Sequence, residues 1–197
     1  YGNKKLTRIH FPENVAWIGP AALKGCEHLT AITWPGHIEN VEAEVCSGCV
    51  SLETIDTQAH FRAIGERAFS GCRKLKSLPL DHVRFLGKEG LLGCRSLSGP
   101  MPFLTRAGEN AVGDTSFPHI VGTVLMWGQG YHGQVCLPEG IRSIAPYAFA
   151  ANQALTGICF PASLEHIGEG AFWGCRNLET VSFSHHGPGI QEHAVLT

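Results

Sequence analysis

Four leucines, at positions 6, 29, 52 and 75, each open a stretch that can be laid over the next, the first three stretches being 23 residues apart. The first reads LTRIHFPENVAWIGPAALKGCEH and the third LETIDTQAHFRAIGERAFSGCRK. Counting the leading Leu as zero, apolar residues recur at offsets 3, 5, 9, 12, 16 and 17, Gly at 19 and Cys at 20. The fourth stretch is one residue short between Asp81 and Val83, yet closes on Leu91, Gly93 and Cys94. A fixed period in the twenties is the mark of a solenoid, in which a single turn cannot bury its apolar face and stacked turns can. No other feature restricts the possible folds so tightly.

One turn can be read residue by residue. Ile9 and Phe11 alternate with Arg8 and His10, a period of two that sends the first pair inward and the second outward along a strand. Pro12, Pro35, Pro138 and Pro161 follow and stop that strand, because an interior strand cannot spare a ladder donor. Val15 and Ile18 predict a second, shorter strand. Gly19, Gly65 and Gly168, at offset 13, are expected to take a positive φ at the corner. Pro20 and Pro146 then sit where a short helix would begin, and Gly25, Gly71 and Gly174 where it would end. The expected turn is strand, corner, short strand, one turn of helix.

The pattern lapses and returns. Val135, Leu137, Pro138, Ile141, Ile144, Ala148 and Phe149 refill the slots, a full turn runs from Leu155 to Asn177, and a shortened one follows from Leu178. Residues 1–97 therefore read as one array and 123–197 as a second, with 98–122 an irregular interruption at which the strand ladder is expected to break or turn. Both ends of the sequence fall inside a repeat and it opens without Met, which predicts a processed form or a piece of a longer array.

The pattern LxxIxLPxxLxxIGxxAFxGCxx, sharpest in Leu52–Lys74 and Leu155–Asn177, resembles the BspA-like (Treponema pallidum-type) class of bacterial leucine-rich repeats. The stretch TVLMWGQGYHGQVCLPEGIRSIAPYAFAANQAL resembles the lead-in with which such proteins restart an array. There Val124–Trp127 is expected to pair back on Val135–Leu137 through Gly128-Gln129-Gly130. The fold class implied is an α/β leucine-rich repeat solenoid, with parallel strands on the concave face and short helical turns on the convex side. The resemblance also implies a bacterial protein of the cell surface, the periplasm or the medium that binds other proteins, often in attachment, and it implies no catalysis.

Composition narrows the partners. Fifteen basic against 17 acidic groups give a net charge of −2, without the basic field that nucleic acid or an anionic membrane surface requires. The longest apolar stretch, Ile120–Trp127, is too short to span a bilayer.

Several motifs suggest chemistry and lose to simpler readings. Cys46-Ser47-Gly48-Cys49 is a CxxC, but the repeat places Cys46 in the Phe slot and Cys49 in the recurrent Cys slot, both inward. Cys26, Cys49, Cys72, Cys94 and Cys175 share one slot and are expected to behave as small hydrophobes. Stacked equivalents point in parallel, which sets their Cβ atoms too far apart for a relaxed disulfide. Cys136 and Cys159, both at offset 4, are outward neighbours that could be two exposed thiols, a reactive pair or a strained bridge. Gly128–Gly133 spells GxGxxG, yet a strand follows where a dinucleotide site needs a helix. His185, His186 and His193 cluster without metal-ligand spacing. No catalytic residue, cofactor or metal is expected.

What remains is a surface. Outward positions offer Arg8, His10, Ala31, Thr33, Thr54, Asp56, Ser77 and Pro79 in the first array, and Gln134, Cys136, Gly157, Cys159, Thr180 and Ser182 in the second. This small, polar row suits an extended protein ligand, and the family resemblance implies a host extracellular-matrix or envelope protein as its kind. The interruption adds Met101, Phe103 and Phe117. They either plug the ends of the arrays, with both phenylalanines buried, or form an exposed apolar site for a ligand or for self-association.

Overall fold

The computed structural model describes residues 2–113 and 120–184. Its first half carries β1 (Arg8–His10), β2 (Ala31–Thr33), β3 (Asn40–Val41), β4 (Thr54–Asp56), β5 (Ala63–Ile64), β6 (Phe85–Leu86) and β7 (Arg106–Ala107). Its second half carries β8 (Ile120–Val121), β9 (Val124–Leu125), β10 (Gly133–Cys136), β11 (Ser143–Ile144), β12 (Leu155–Phe160), β13 (His166–Ile167) and β14 (Thr180–Phe183). The strands form four narrow sheets, in the orders β1-β2-β4, β3-β5-β6-β7, β10-β12-β14 and β13-β11-β9-β8. Every pairing is parallel and joins equivalent positions of successive turns, except the antiparallel β8–β9.

The core follows the repeat. Leu29, Leu52, Leu75, Leu97 and Leu155, at offset zero, are fully buried, as are Cys49, Cys72 and Cys94. Ile9, Ile32 and Ile55 lie side by side on the inner face of the first sheet. On this point the period-two reading and the structure agree.

The side expected to be helical is not. Among the described residues no helix forms; that side is a run of tight turns. Ala21, Glu44, Arg67, Glu89 and Tyr147 each take a φ between 51° and 58° at the point where the helix would begin. A left-handed residue there turns alternate amide N–H groups out toward the neighbouring turn. In the second turn, Glu44, Cys46 and Gly48 donate to the carbonyls of Glu66, Ala68 and Ser70. The donors that a helix would spend on itself build a third face of inter-turn hydrogen bonds.

The offset-13 glycines also differ from expectation. Gly19, Gly65 and Gly168 do not have positive φ; Gly25, Gly71 and Gly174, at offset 19, do. What selects glycine at positions 65 and 168 is proximity: a Cβ on Gly65 would lie 2.7 Å from the amide N of Ala43, and one on Gly168 2.4 Å from that of Pro146.

The segment 98–122 is only partly irregular. β7 extends the β3-β5-β6 sheet, and Leu97, Met101, Leu104, Ala111 and Val112 are buried like the core residues of a turn. Leu91 N–H donates to Ala111 C=O at 2.8 Å, as Phe69 N–H does to Gly90 C=O one turn earlier. This is a fifth turn without a first strand. Beyond it Thr123 N–H reaches Leu104 C=O, and Arg142 N–H reaches Thr123 C=O, so a backbone bond crosses to the second half. The restart hairpin differs as well: β9 pairs with β8 through Gly122 and Thr123, and on its other side with β11, while β10 pairs with β12. Val124 and Leu125 occupy the second-strand slot of a turn, which is incompatible with pairing to first-strand Val135–Leu137.

Candidate functional site

The first strands project two ordered rows outward. In the first half, Arg8, Ala31 and Thr54 form one line and His10, Thr33 and Asp56 the next. In the second half the lines are Gln134, Gly157 and Thr180, then Cys136, Cys159 and Ser182. Arg8, His10, Thr54 and Asp56 are exposed and Thr33 half-buried. A Cβ on Gly157 would lie 2.3 Å from Thr180 Oγ1, so a larger residue there would have to turn that hydroxyl aside. The structure thus brings the expected residues together as two separate patches. Ser77 and Pro79 do not join them: the fourth turn forms no first strand, because Pro79 has no N–H to donate to the ladder.

The second patch has an electronic asymmetry. The Ser182 hydroxyl is the largest influence holding the Cys159 thiol below its ordinary value, with Cys136 and Ser184 adding to it. Cys136, donating to Cys159, is pushed up. The pair is exposed at Cys136 and half-buried at Cys159. It combines an activated sulfur with an outward-facing partner.

The inward thiols are quiet. Cys49, Cys72 and Cys94 each donate Sγ–H to a carbonyl of the preceding turn, on Leu23, Cys46 and Phe69, at 3.1 Å in every case. Burial pushes Cys94 up to about 12 and Cys72 well above its ordinary value. Cys46 of the CxxC is likewise raised, by its bond to Cys49 and by burial, while the same bond lowers Cys49; both sulfurs lie in the core, closed to solvent. A thiol held protonated in the core is a poor nucleophile and a poor metal ligand.

The glycine motif is spent on structure. Asn152, a buried polar side chain, donates to the carbonyls of Gly128 and Tyr131 at 2.9 and 2.8 Å and accepts from the amides of Ala154 and Leu155. Gly128 lies against Phe149, where a Cβ would come within 2.2 Å of the ring.

The interruption residues separate. Met101 is core, 2% exposed, which removes it from any surface site. Phe103 is 54% exposed, against the burial expected of a plug, because it occupies an outward corner position beside buried Leu104. It edges a groove of about 280 Å³ with Arg84, Thr105, Thr123 and Arg142. Phe117, His185, His186 and His193 lie outside the described residues. The histidines that do gather are His60 and His82, which the sequence reading did not single out. They hold one repeat position in consecutive turns, visible in the sequence once the shortening of the fourth turn is placed before His82.

Parallel turns with buried leucines at one recurring corner define a leucine-rich repeat protein. The chain belongs to the BspA type leucine rich repeat family, whose pattern it matches in six copies over residues 1–102 and 132–195. Among solved structures it is similar to a leucine-rich repeat protein from Bacteroides ovatus, with 21% identity, TM-score 0.48, and coverage of 93% of this chain and 56% of that one. A leucine rich cell surface protein from Faecalibacterium prausnitzii aligns at 19% identity, TM-score 0.44, covering 90% and 69%. The T. pallidum leucine-rich repeat protein aligns at 20% identity, TM-score 0.46, covering 89% and 79%. The chain therefore spans little more than half the length of the Bacteroides protein. No curated protein matches.

Proposed function

We propose that this chain is a protein-binding module that holds an extended partner along the outward faces of its first-strand sheets. The observation that carries this is the registered rows of small and polar side chains, Arg8–Ala31–Thr54 and His10–Thr33–Asp56, repeated as Gln134–Gly157–Thr180 and Cys136–Cys159–Ser182. Small side chains let a partner backbone approach closely, while Arg8, His10 and Asp56 supply charge and hydrogen bonding at one end. The partner class is a host extracellular-matrix or bacterial envelope protein, and the module works at the cell surface or as an exported protein, on the strength of the family. The relative from Faecalibacterium is itself described as a cell surface protein.

Pull-down of matrix and envelope proteins with the whole chain tests this reading. Capture that is lost in an Arg8→Glu, Asp56→Lys double variant of unchanged unfolding midpoint supports it. Capture insensitive to that variant and to Thr180→Lys places binding elsewhere.

A second reading, self-assembly, is favoured by one observation: Phe103 and Trp173 are exposed by 54% and 69%. Light scattering across a concentration series separates the two, since a receptor-like module stays monomeric.

A further inference from the structure

The outer corner between the two strands of each turn carries a column of rings. His60 and His82 face one another with centroids 4.4 Å apart, and Phe103 follows 6.1 Å beyond His82. Asp81 reaches into this column. Its Oδ2 lies 2.9 Å from His82 Nδ1 and 3.5 Å from His60 Nδ1, and the three donor atoms fall within 4.8 Å of one another.

We infer that His60, Asp81 and His82 form a binding site for a divalent first-row metal ion of the zinc type. Zinc holds imidazole nitrogen and carboxylate oxygen at about 2.0–2.2 Å in a tetrahedron, which sets neighbouring ligand atoms about 3.3 Å apart. The two distances from Asp81 bracket that edge and the third is at most 4.8 Å, so side-chain rotations are what seating a metal in place of the present contacts requires. Two imidazoles and one carboxylate suit zinc, cobalt or nickel over calcium and magnesium, which demand oxygen. With both rings neutral, the cluster carries the single negative charge of Asp81, which favours a dication.

The backbone is arranged to keep the ligands together. Val83 N–H donates to Leu80 C=O at 3.1 Å, closing a turn with Asp81 and His82 at its tip and buried Leu80 and Val83 at its ends. His60 lies between buried Ala59 and Phe61. Two cations stand two residues beyond the histidines: Arg62 is paired with Glu39 at 2.7 Å, and Arg84 lines the groove beside Phe103. All three ligands are exposed, so the ion can enter from solvent and keep open positions for water or for a side chain of another molecule.

The test is titration of the whole chain with ZnCl2 by calorimetry, and with CoCl2 by absorption, for the native sequence, His60→Gln/His82→Gln, Asp81→Asn and Cys136→Ser/Cys159→Ser. The expected result is one equivalent whose affinity falls at least tenfold in the histidine and aspartate variants and is unchanged in the cysteine variant. That equivalent should give cobalt bands without thiolate charge transfer. Because the substituted side chains are exposed, unfolding midpoints in the absence of metal should match. Equal affinity and stoichiometry in native and His60→Gln/His82→Gln protein, or cobalt binding that vanishes only with the cysteines, overturns the assignment. The site does not depend on the proposed binding face.

Discussion

Phe149 and Phe172 hold the same position in successive turns and stack with ring centroids 4.9 Å apart and planes 16° from parallel. Phe149 is fully buried, whereas Phe172 is half-buried. Phe69 fills the equivalent slot in the first half and is fully buried. Phe69→Ala and Phe149→Ala are each expected to cost about 3–5 kcal/mol in denaturant unfolding. Phe172→Ala should cost less than either. Equal losses at all three would show that the slots are not graded by burial.

Cys159 should react faster with iodoacetamide than Cys136, although it is the less exposed of the two. Its lowered pKa gives it the larger thiolate fraction at any pH below the ordinary thiol value, and Cys136 is shifted the other way. Peptide mapping after brief alkylation reads the order directly. Ser182→Ala should move the pH midpoint of Cys159 labelling upward. Preferential labelling of Cys136 would contradict the hydrogen-bond assignment.

Gly65→Ala should destabilise the chain by about 1–3 kcal/mol, since the new Cβ would press on the backbone of Ala43 and Glu42. Gly19→Ala, at the same offset, meets only the exposed ring of Trp17, at 3.1 Å. Its effect should stay within about 0.5 kcal/mol. Thermal unfolding of the two variants side by side makes the comparison.

The Arg67–Glu89 pair sets an acid dependence. Arg67 Nε donates to Glu89 Oε2 at 2.6 Å, and this bond is the main reason the Glu89 carboxyl titrates below its ordinary range. A carboxylate depressed in the folded state contributes stability above its unfolded pKa, and that contribution disappears as pH falls through the folded value. Native protein should therefore exceed Glu89→Gln in midpoint at pH 7, with the gap closing below about pH 4, under the ordinary Glu value. A gap that is constant from pH 7 to pH 3 would exclude the pair as its source.

Sequence periodicity made the first strands and their inward and outward residues readable, because register in a stacked strand leaves each side chain only two directions; the second strand expected at Val15 and Ile18 does not form. The side opposite was misread for a physical reason. Pro and Gly at the two ends of a short segment fit a capped helix, and they equally fit a turn whose left-handed residue is Glu44 or Arg67, types with no special liking for that conformation. Gly65 was assigned the wrong cause because close approach and positive φ select the same residue. The turn within 98–122 was hidden by the loss of its Cys and of its first strand, the two loudest marks of the repeat. The outward rows were legible position by position, but their division into two patches depends on Pro79, whose missing N–H acts only once the neighbouring strand is in place. The clustering of His60, Asp81 and His82 depends on a deleted residue, which shifts the alignment by one and sets the histidines of two turns opposite each other.

That deletion carries a further lesson about how such a chain can change length. The missing residue falls at the exposed corner ahead of His82, and from buried Val83 onward every position returns to phase. The corner behaves as a slip joint: it absorbs a lost residue locally and passes no error down the stack. A deletion between Gly65 and Cys72 would have no such outlet, since amides along that stretch are committed to carbonyls of the next turn. Insertions and deletions in variants of this chain should therefore collect at the corners that carry His37, His60 and Phe103, and be absent from the turns that carry Arg67 and Glu89. The surface where the metal site lies is, on this view, the part of the solenoid most free to acquire new chemistry without unfolding it.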